Sequence, residues 1–577
     1  MSSSGGERVA QVLSGQGVRF LYTLCGGHIS PVLVACKARG IRVVDVRHEA
    51  SAVFAADATA RLSGVPGVAA VTAGPGVTNA ITALVNARMA QSPLVLLGGA
   101  TATLLKGRGS LQDIDQASVV SGCVKWQARV ERLRELEPVL QRAFQEAVSG
   151  VPGPVFVELP IDLLYPETLV REWYAKGTAG GKGLGGLAMR LYMERHLHRL
   201  LDAPPTGEEG LPPAAPPQRD PPLALLALAA RRLRAAKRPL LVVGSQALTR
   251  PQEAQRLAAA VSSLGVPVYL AGMARGLLGR SHPLQLFHRR RAALRQSDLV
   301  LLCGVPCDFR LEYGRAIGRQ AALVAVNLEA RALFKNRAPS LPIPADPGRF
   351  LQGLAGSGPF PGWAGWCARL READQERERE IAAQAAEAVS PVNPLRLCQG
   401  IEAAMAEESL VVADGGDFVG SAAYVLRPRG PLSWLDPGVF GTLGVGGGFA
   451  LAAALCRPGA ETWLLWGDGA AGLSLMELDS FARHGLPVIA VVGNDAGWAQ
   501  IARDQVALLH DDVGTVLARC DYERVAEGLG GVGLRIGSPE EIEPVLAEAQ
   551  AQARAGRPVL VNALLGRTGF REGSISM

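Results

Sequence analysis

A chain of 577 residues is long enough for three domains of ordinary size, and 48% hydrophobic with 19% charged residues describes a globular protein that buries large sheets, not a disordered or fibrous one. A net charge of +6 is modest for that length, and no basic block is interleaved with aromatics, which excludes a dedicated nucleic-acid binder and favours a small anionic partner. Nine cysteines at positions 25, 36, 123, 303, 307, 367, 398, 456 and 520 form no C-x-x-C pair and read as reduced thiols on the cytosolic side of any membrane.

The opening string MSSSGGERVAQVL passes directly into an amphipathic helix, with no signal peptide expected. Strand-like runs VVDV, VAAVT, PLVLLGG and PVFVELP then alternate with helical stretches to about Tyr165, the rhythm of a parallel sheet, and the first domain is placed at residues 1–170. Within it, LCGGHISP sets His28 on an expected strand-end loop, and VVDVRHEASAVFAADATARLSG sets Glu49 where a strand runs into a helix. An acid there also suits the helix dipole. TAGPGVTNAITAL supplies a Gly-Pro-Gly turn on the next strand end, and GSLQDIDQ adds Gln112. A histidine can shuttle a proton near neutral pH, and an amide can donate to an oxyanion. Lys125, in VKWQ, suits a site or a surface charge.

Residues 171–220 form a linker. LAMRLYMERHLHRLL carries Leu187, Leu191, Met193, Leu197, Leu200 and Leu201 on much of one side, with Arg190, Arg195, His196 and Arg199 supplying charge. Such a helix at 187–201 can lie on an anionic membrane surface or pack on its own protein. DAPPTGEEGLPPAAPPQRDPP after it reads as an extended spacer.

The alternating rhythm recurs in PLLVVGS, VPVYLAG, DLVLLCG and AALVAVN, giving a central domain at 221–355. There Arg289, Arg290 and Arg291 precede a strand and Arg310 follows it, a set that suits either the phosphates of coenzyme A or a solvated helix start, with FAD and ADP also open. Residues 356–390, dense in Arg and Glu at helical spacing, are expected to form a solvated bridging helix.

The third domain, 391–577, repeats the rhythm and carries the sharpest motif. DGGDFVGSA offers Gly415, Gly416 and Asp417 at a strand end. LCRPGAETWLLWGDGA reads as turn, apolar strand, and a Gly-flanked acid beyond the strand's carboxyl end, where α/β sheets bind ligands. Asp468 is a hard oxygen ligand suited to Mg²⁺, while Gly467 and Gly469 let the backbone approach a phosphate. A second strand, PVIAVV, delivers Asn494, Asp495 and the carbonyl of Gly497. Three protein oxygens, two diphosphate oxygens and a water complete the octahedron that Mg²⁺ demands.

The spacing and surroundings of both halves resemble the signature of the thiamine diphosphate (ThDP) enzymes, the family that includes acetolactate synthase, oxalyl-CoA decarboxylase, benzaldehyde lyase and the 2-hydroxyacyl-CoA lyases. The resemblance runs from about Glu7 to the C-terminus and implies an α/β protein of three doubly wound parallel-sheet domains, with ThDP and Mg²⁺ as cofactors. It implies that Glu49 presses on the aminopyrimidine ring, that Leu443 in GTLGVGGGFALAAAL bends the cofactor, and that the carbonyl of Gly441 accepts from its amino group. Gly416, Asp417, Gly467, Asp468, Gly469 and Asn494 would then bind the diphosphate, with Asp468, Asp495 and Gly497 holding the metal. The family usually has Asn where Asp495 stands, so tighter metal binding is expected at some electrostatic cost to the cofactor.

The strings around His28, Glu49 and Gln112 are similar to those around the active-site His, Glu and Gln of benzaldehyde lyase, which implies lyase chemistry. Within the family the chain is most similar to the 2-hydroxyacyl-CoA lyase type. That implies cleavage of a 2-hydroxyacyl-CoA to formyl-CoA and an aldehyde one carbon shorter, as in fatty acid α-oxidation. An acetolactate synthase-like carboligase acting on 2-oxo acids and a non-catalytic ThDP-binding scaffold are the alternatives. The resemblance also implies a homodimer or homotetramer in which Glu49 of one subunit meets Asp468 of the partner subunit. It further implies the cytosolic face of the endoplasmic reticulum membrane, where relatives carry an apolar N-terminal anchor that this sequence lacks, with the cytosol as the alternative.

Overall fold

A computed structural model of the protein describes residues 3–178, 183–204 and 212–573. It divides into two compact units, Met1–Ala60 with Val65–Pro216, and Arg61–Gly64 with Pro217–Met577.

The first unit is built on one six-stranded sheet: β1 (Phe20–Leu24), β2 (Arg42–Asp45), β3 (Gly67–Val71), β4 (Leu94–Ala100), β5 (Trp126–Arg129) and β6 (Pro154–Pro160). Every pairing is parallel, and the order is β2-β1-β3-β4-β6-β5. The central strands β3, β4 and β6 are buried along their whole length, which is why they read as continuous apolar runs instead of alternating ones. Helices Gly5–Gly15 and Leu136–Val148 contribute Val9, Leu13, Leu140 and Phe144 to the same core as Val68, Val95 and Val157.

The second unit holds two further parallel sheets. One contains β7 (Pro239–Val243), β8 (Val268–Leu270), β9 (Gln285–Leu286), β10 (Leu299–Cys303), β11 (Ala322–Val326) and β12 (Leu341–Ile343), in the order β12-β11-β10-β7-β8-β9. The other contains β13 (Ser409–Ala413), β14 (Trp434–Leu435), β15 (Glu461–Gly467), β16 (Val488–Asn494), β17 (Val532–Ile536) and β18 (Val559–Leu564), in the order β14-β13-β15-β16-β18-β17. The first and third sheets therefore share one strand order, and the middle sheet has the other common doubly wound order. The Gly-rich apolar stretch after Pro437 becomes the buried helix Val445–Cys456.

Two linker expectations change. The Arg- and Glu-rich segment forms the helix Ala364–Ala386, but it is not simply solvated: Trp366, Leu370, Ile381 and Ala385 are buried, and Trp366 Nε1 donates to the carbonyl of Pro239 at 2.9 Å. Its Asp374 carboxylate accepts the main-chain N–H groups of Phe287 at 2.9 Å and His288 at 2.6 Å, which ties the helix to the edge of the middle sheet. The basic helix runs Gly183–Leu201, and its apolar residues divide between two environments. Met193, Leu197, Leu200 and Leu201 are buried, whereas Leu184, Leu187, Leu191 and Tyr192 are exposed at helical spacing. Of the Pro-rich spacer, 205–211 lie outside the described residues, and 212–222 carry no helix or strand. Among the described residues no helix is long and apolar enough to cross a membrane.

Candidate functional site

In a doubly wound sheet the ligand crevice opens at the carboxyl ends of the strands, where the strand order reverses. In the first unit that point lies between β1 and β3. His28 stands on the loop after β1, and the Gly74-Pro75-Gly76 turn follows β3. The segment Thr72–Asn79 bonds the side chains of His28 and Glu49 and runs close against the main chain of Gln112. Thr72 Oγ1 lies 3.0 Å from Nδ1 of half-buried His28. Gly74, in the left-handed region at φ 59°, has no Cβ because one would meet the carbonyl oxygen of Gln112 at 2.8 Å. Asn79 Nδ2 donates to Glu49 Oε2 at 3.0 Å.

Glu49 is the first residue of the helix Glu49–Ser63 and is 5% exposed, so its carboxylate is nearly withdrawn from water at a helix N-terminus. Burial lowers the pKa of His28 below the ordinary histidine value and keeps the ring neutral, as a proton acceptor must be. Gln112 itself holds a left-handed backbone at φ 63°, a conformation uncommon outside glycine and a mark of a constrained loop. Lys125 is neither in this crevice nor a free surface charge. Its Nζ donates to the carbonyls of Ser149 at 2.6 Å and Val151 at 2.8 Å, and burial lowers its pKa.

Two residues here escaped the motif reading. Asn79 closes the Gly-Pro-Gly helix turn onto Glu49. Gln116, 2% exposed, accepts the Gly74 N–H at 2.9 Å and donates to the Gly99 carbonyl at 3.1 Å and to Glu158 Oε2 at 3.2 Å. The string GSLQDIDQ contains both glutamines, and nothing in their spacing says which one is buried.

The equivalent reversal in the third sheet lies between β13 and β15. A cavity of about 560 Å³ opens there, lined among others by Gly415, Gly416, Asp417, Gly441, Leu443, Gly467, Asp468, Gly469, Asp495 and Gly497. Asp468 is fixed by main-chain donors, Gly469 N on Oδ1 at 2.8 Å and Gly497 N on Oδ2 at 3.1 Å. Burial raises its pKa. The Asp495 carboxyl is pushed up to about 7, first by burial and then by the negative charges of Asp468 and Asp417. Two carboxylates that oppose each other's ionisation in a half-enclosed cavity are relieved by a divalent cation, and oxygen donors suit Mg²⁺. The donor set therefore fits the metal and diphosphate that the motif implies. Among the described residues no trio of His, Cys, Asp or Glu forms a metal cluster, in keeping with a set of two carboxylates and a main-chain carbonyl.

Asn494 departs from the expected set. It ends β16 and turns its amide inward, where Nδ2 donates to the Cys520 carbonyl at 3.2 Å and to Asn562 Oδ1 at 3.1 Å, and it does not line the cavity. Asp417 lines the cavity, but its carboxylate is engaged by Arg503 at 2.5 Å. That pairing leaves the first N–H groups of the helix Asp417–Val425 as the anion donors at this point.

A second cavity in the same unit, about 690 Å³, is strongly basic, with Arg275, Arg289, Arg290, Arg291, Arg310 and Arg377 on its walls beside Tyr269 and Tyr424. The arginine triplet opens the helix Arg290–Gln296, with Arg289 and Arg291 exposed and Arg290 half-buried, and all three side chains are engaged. Arg289 pairs with Glu380, Arg291 with Glu312 at 2.7 Å, and Arg290 donates to the carbonyl of Arg310 at 2.9 Å. Burial, then the neighbouring Arg310, lower the pKa of Arg290. Arg275, Arg310 and Ala423 line both cavities, so the two adjoin.

Residues 3–119, 226–354 and 414–563 match, in turn, the family models of the thiamine pyrophosphate enzyme N-terminal TPP binding domain, central domain and C-terminal TPP binding domain. The chain is 50% identical to a human (Homo sapiens) protein named 2-hydroxyacyl-CoA lyase 2, covering 99% of this chain and 92% of the relative. A Caenorhabditis elegans protein of the same name is 48% identical over 99% of this chain and 91% of its own length. The acetolactate synthase large subunit IlvG of Mycobacterium tuberculosis is 34% identical over 97% of this chain and 95% of its own.

Proposed function

The chain belongs to the thiamine pyrophosphate enzyme family, and from that premise we propose that it is a ThDP- and Mg²⁺-dependent lyase that cleaves a 2-hydroxyacyl-CoA to formyl-CoA and an aldehyde one carbon shorter. The observation that carries this reading is the junction of the two cavities of the second unit. A coenzyme A ester needs a basic pocket for its phosphates that opens onto the site of bond cleavage, and Arg275 and Arg310 stand on the walls of both spaces. A 2-oxo acid requires no such extension.

When bound, ThDP would supply a nucleophilic carbon and an electron sink for cleavage of the C1–C2 bond. The chain's own residues do the rest. Asp468, Asp495 and the Gly497 carbonyl would hold Mg²⁺, and the N–H groups at the start of the helix Asp417–Val425 would bind the diphosphate. Glu49, held by Asn79, would press on the aminopyrimidine ring of a cofactor whose metal and diphosphate are held by the partner subunit. Neutral His28 takes the substrate's hydroxyl proton as the aldehyde forms, and Gln112 donates to the carbonyl oxygen as it gains charge. The two products together hold every atom of the substrate, so the reaction requires no oxidant or reductant.

The proposal includes a homodimer or homotetramer, as is usual for the family, and residence at the cytosolic face of the endoplasmic reticulum membrane, with peripheral contact through 187–201. Exposed Leu187, Leu191 and Tyr192 beside Arg190, Arg195 and Arg199 support that contact, and co-sedimentation with anionic vesicles tests it. The reaction is tested by mass spectrometry of products from a panel of 2-hydroxyacyl-CoAs incubated with the metal-loaded enzyme. Formyl-CoA with the shortened aldehyde is expected. Acetolactate from pyruvate, with no aldehyde from any ester, would favour the carboligase instead.

A further inference from the structure

Leu443 sits in the cofactor cavity on a turn whose geometry is set by a residue outside the signature motif. Asp414 follows β13 and is 4% exposed. Its carboxylate accepts the Gly444 N–H on Oδ1 at 2.9 Å and the Gly446 N–H on Oδ2 at 2.8 Å, and Oδ2 also accepts from Trp466 Nε1 at 3.2 Å. The two main-chain donors belong to the start of the helix Val445–Cys456, whose N-cap, Gly444, has no side chain to offer them. An acid in that place satisfies orphan N–H groups and complements the positive end of the helix. The next residue, Gly415, leaves the space that Leu443 fills, since a Cβ there would lie 2.1 Å from Leu443 Cδ2. The dipeptide Asp414-Gly415 thus anchors the turn immediately after Leu443 and makes room for the leucine side chain itself.

We propose that Asp414 is a positioning residue: through the Gly444 and Gly446 N–H groups it sets the height at which Leu443 supports the bend of a bound thiamine, with Gly415 as the clearance that lets the side chain stand there. This rests on the ThDP reading of the cavity, not on the choice of substrate. Burial pushes the Asp414 carboxyl up to about 7 against the pull of its three donors, so the anchor is fully charged only above neutrality. An asparagine keeps the size but turns an NH₂ group toward one of the two main-chain donors, so one end of the turn loses its acceptor.

The experiment compares the full-length parent with Asp414→Asn, Gly415→Ala, Leu443→Ala and the double variant Asp414→Asn/Leu443→Ala. Three quantities are read: melting of the cofactor-free protein, Mg²⁺-dependent ThDP affinity from quenching of tryptophan fluorescence, and exchange of the ThDP C2 proton by NMR after acid quench. Asp414→Asn is expected to keep ThDP affinity within about threefold, because the metal and diphosphate ligands are untouched, while C2 exchange falls about 100-fold. Gly415→Ala is expected to show the same split, and it carries the test should Asp414→Asn fail to fold. The double variant is expected to lose no more than about twofold beyond Leu443→Ala, because both changes act through one side chain. Multiplicative losses in the double variant, or affinity and exchange falling in parallel, would overturn the assignment. Because exchange is read without substrate, a protein inactive on 2-hydroxyacyl-CoAs would still answer this question.

Discussion

Gln116 is the most sharply exposed of the structural supports to a single substitution. Its carboxamide is buried and used on both sides, so replacement by leucine leaves the Gly74 N–H without an acceptor and removes a donor from the Gly99 carbonyl and from Glu158. Glu158 retains Lys106 at 2.7 Å and Arg129 at 3.3 Å, so it stays paired. At about 1–3 kcal/mol for a buried polar group left alone, the Gly74 and Gly99 groups together give a loss of roughly 2–6 kcal/mol. In a unit of this size each kcal/mol moves the transition by about 2–4 °C, so the melting of Met1–Ala60 with Val65–Pro216 should fall by about 4–24 °C. Calorimetry of the cofactor-free full chain resolves that transition. Gln116→Glu should be worse than leucine, because it sets a second carboxylate against Glu158. A Gln116→Leu protein that melts within about 1 °C of the parent would refute the reasoning, since it would show that the turn does not depend on this amide.

Glu49→Gln keeps an acceptor for Asn79 and removes the acid, so turnover should vanish while Mg²⁺-dependent ThDP binding stays within about threefold of the parent; undiminished turnover would sink the role assigned to Glu49. Because the Asp495 carboxyl lies near 7 and a metal takes only the charged form, Mg²⁺ affinity in the presence of ThDP should strengthen as pH rises from about 6 to about 8, and Asp495→Asn should flatten that dependence. Titration calorimetry at three pH values checks it. Folded Asp414 keeps a proton that the unfolded chain releases at the ordinary carboxylate value, so its contribution to stability falls as pH rises from about 4 to about 7 and then levels; denaturant melts of Asp414→Asn should lack that slope. Arg290→Gln should raise KM for a 2-hydroxyacyl-CoA by about tenfold with little change in ThDP affinity, and an unchanged KM would remove the basic cavity from the substrate path.

The three-sheet plan was legible because strands buried on both faces must be apolar throughout, and β4, β6, β15 and β16 announce themselves as such runs. The two-residue strands β9 and β14 left no pattern long enough to read. The helix Ala364–Ala386 was visible from its charge spacing, yet Trp366, Leu370 and Ile381 recur too sparsely among the charges to betray a packed face. In the candidate site, the acids and glycines at strand ends could be found because both the motif and the fold rule point to the same places. Asn494 and Asp495 show the limit. Neighbours at a strand end project to opposite sides, so only one of the two can face Asp468, and which one depends on the register of β16 against β15 and β18. Gln112 and Gln116 differ in the same way, one on a left-handed loop and the other folded inward. Lys125 looked like chemistry or decoration and is neither, because its ammonium caps two carbonyls that no local pattern brings near.

The shared strand order of the first and third sheets divides the chain's tolerance to change. Each of the two sheets reverses its strand order at one point, the notch where such folds bind ligands, so drift in helices elsewhere alters how firmly the scaffold stands and seldom what it can hold. Novelty must enter through the few connections that border those notches. A scaffold that repeats one winding can therefore specialise its two openings separately, a dry carboxylate pocket in one and a glycine-lined anion seat in the other, by editing short loops while the buried strands stay as they are.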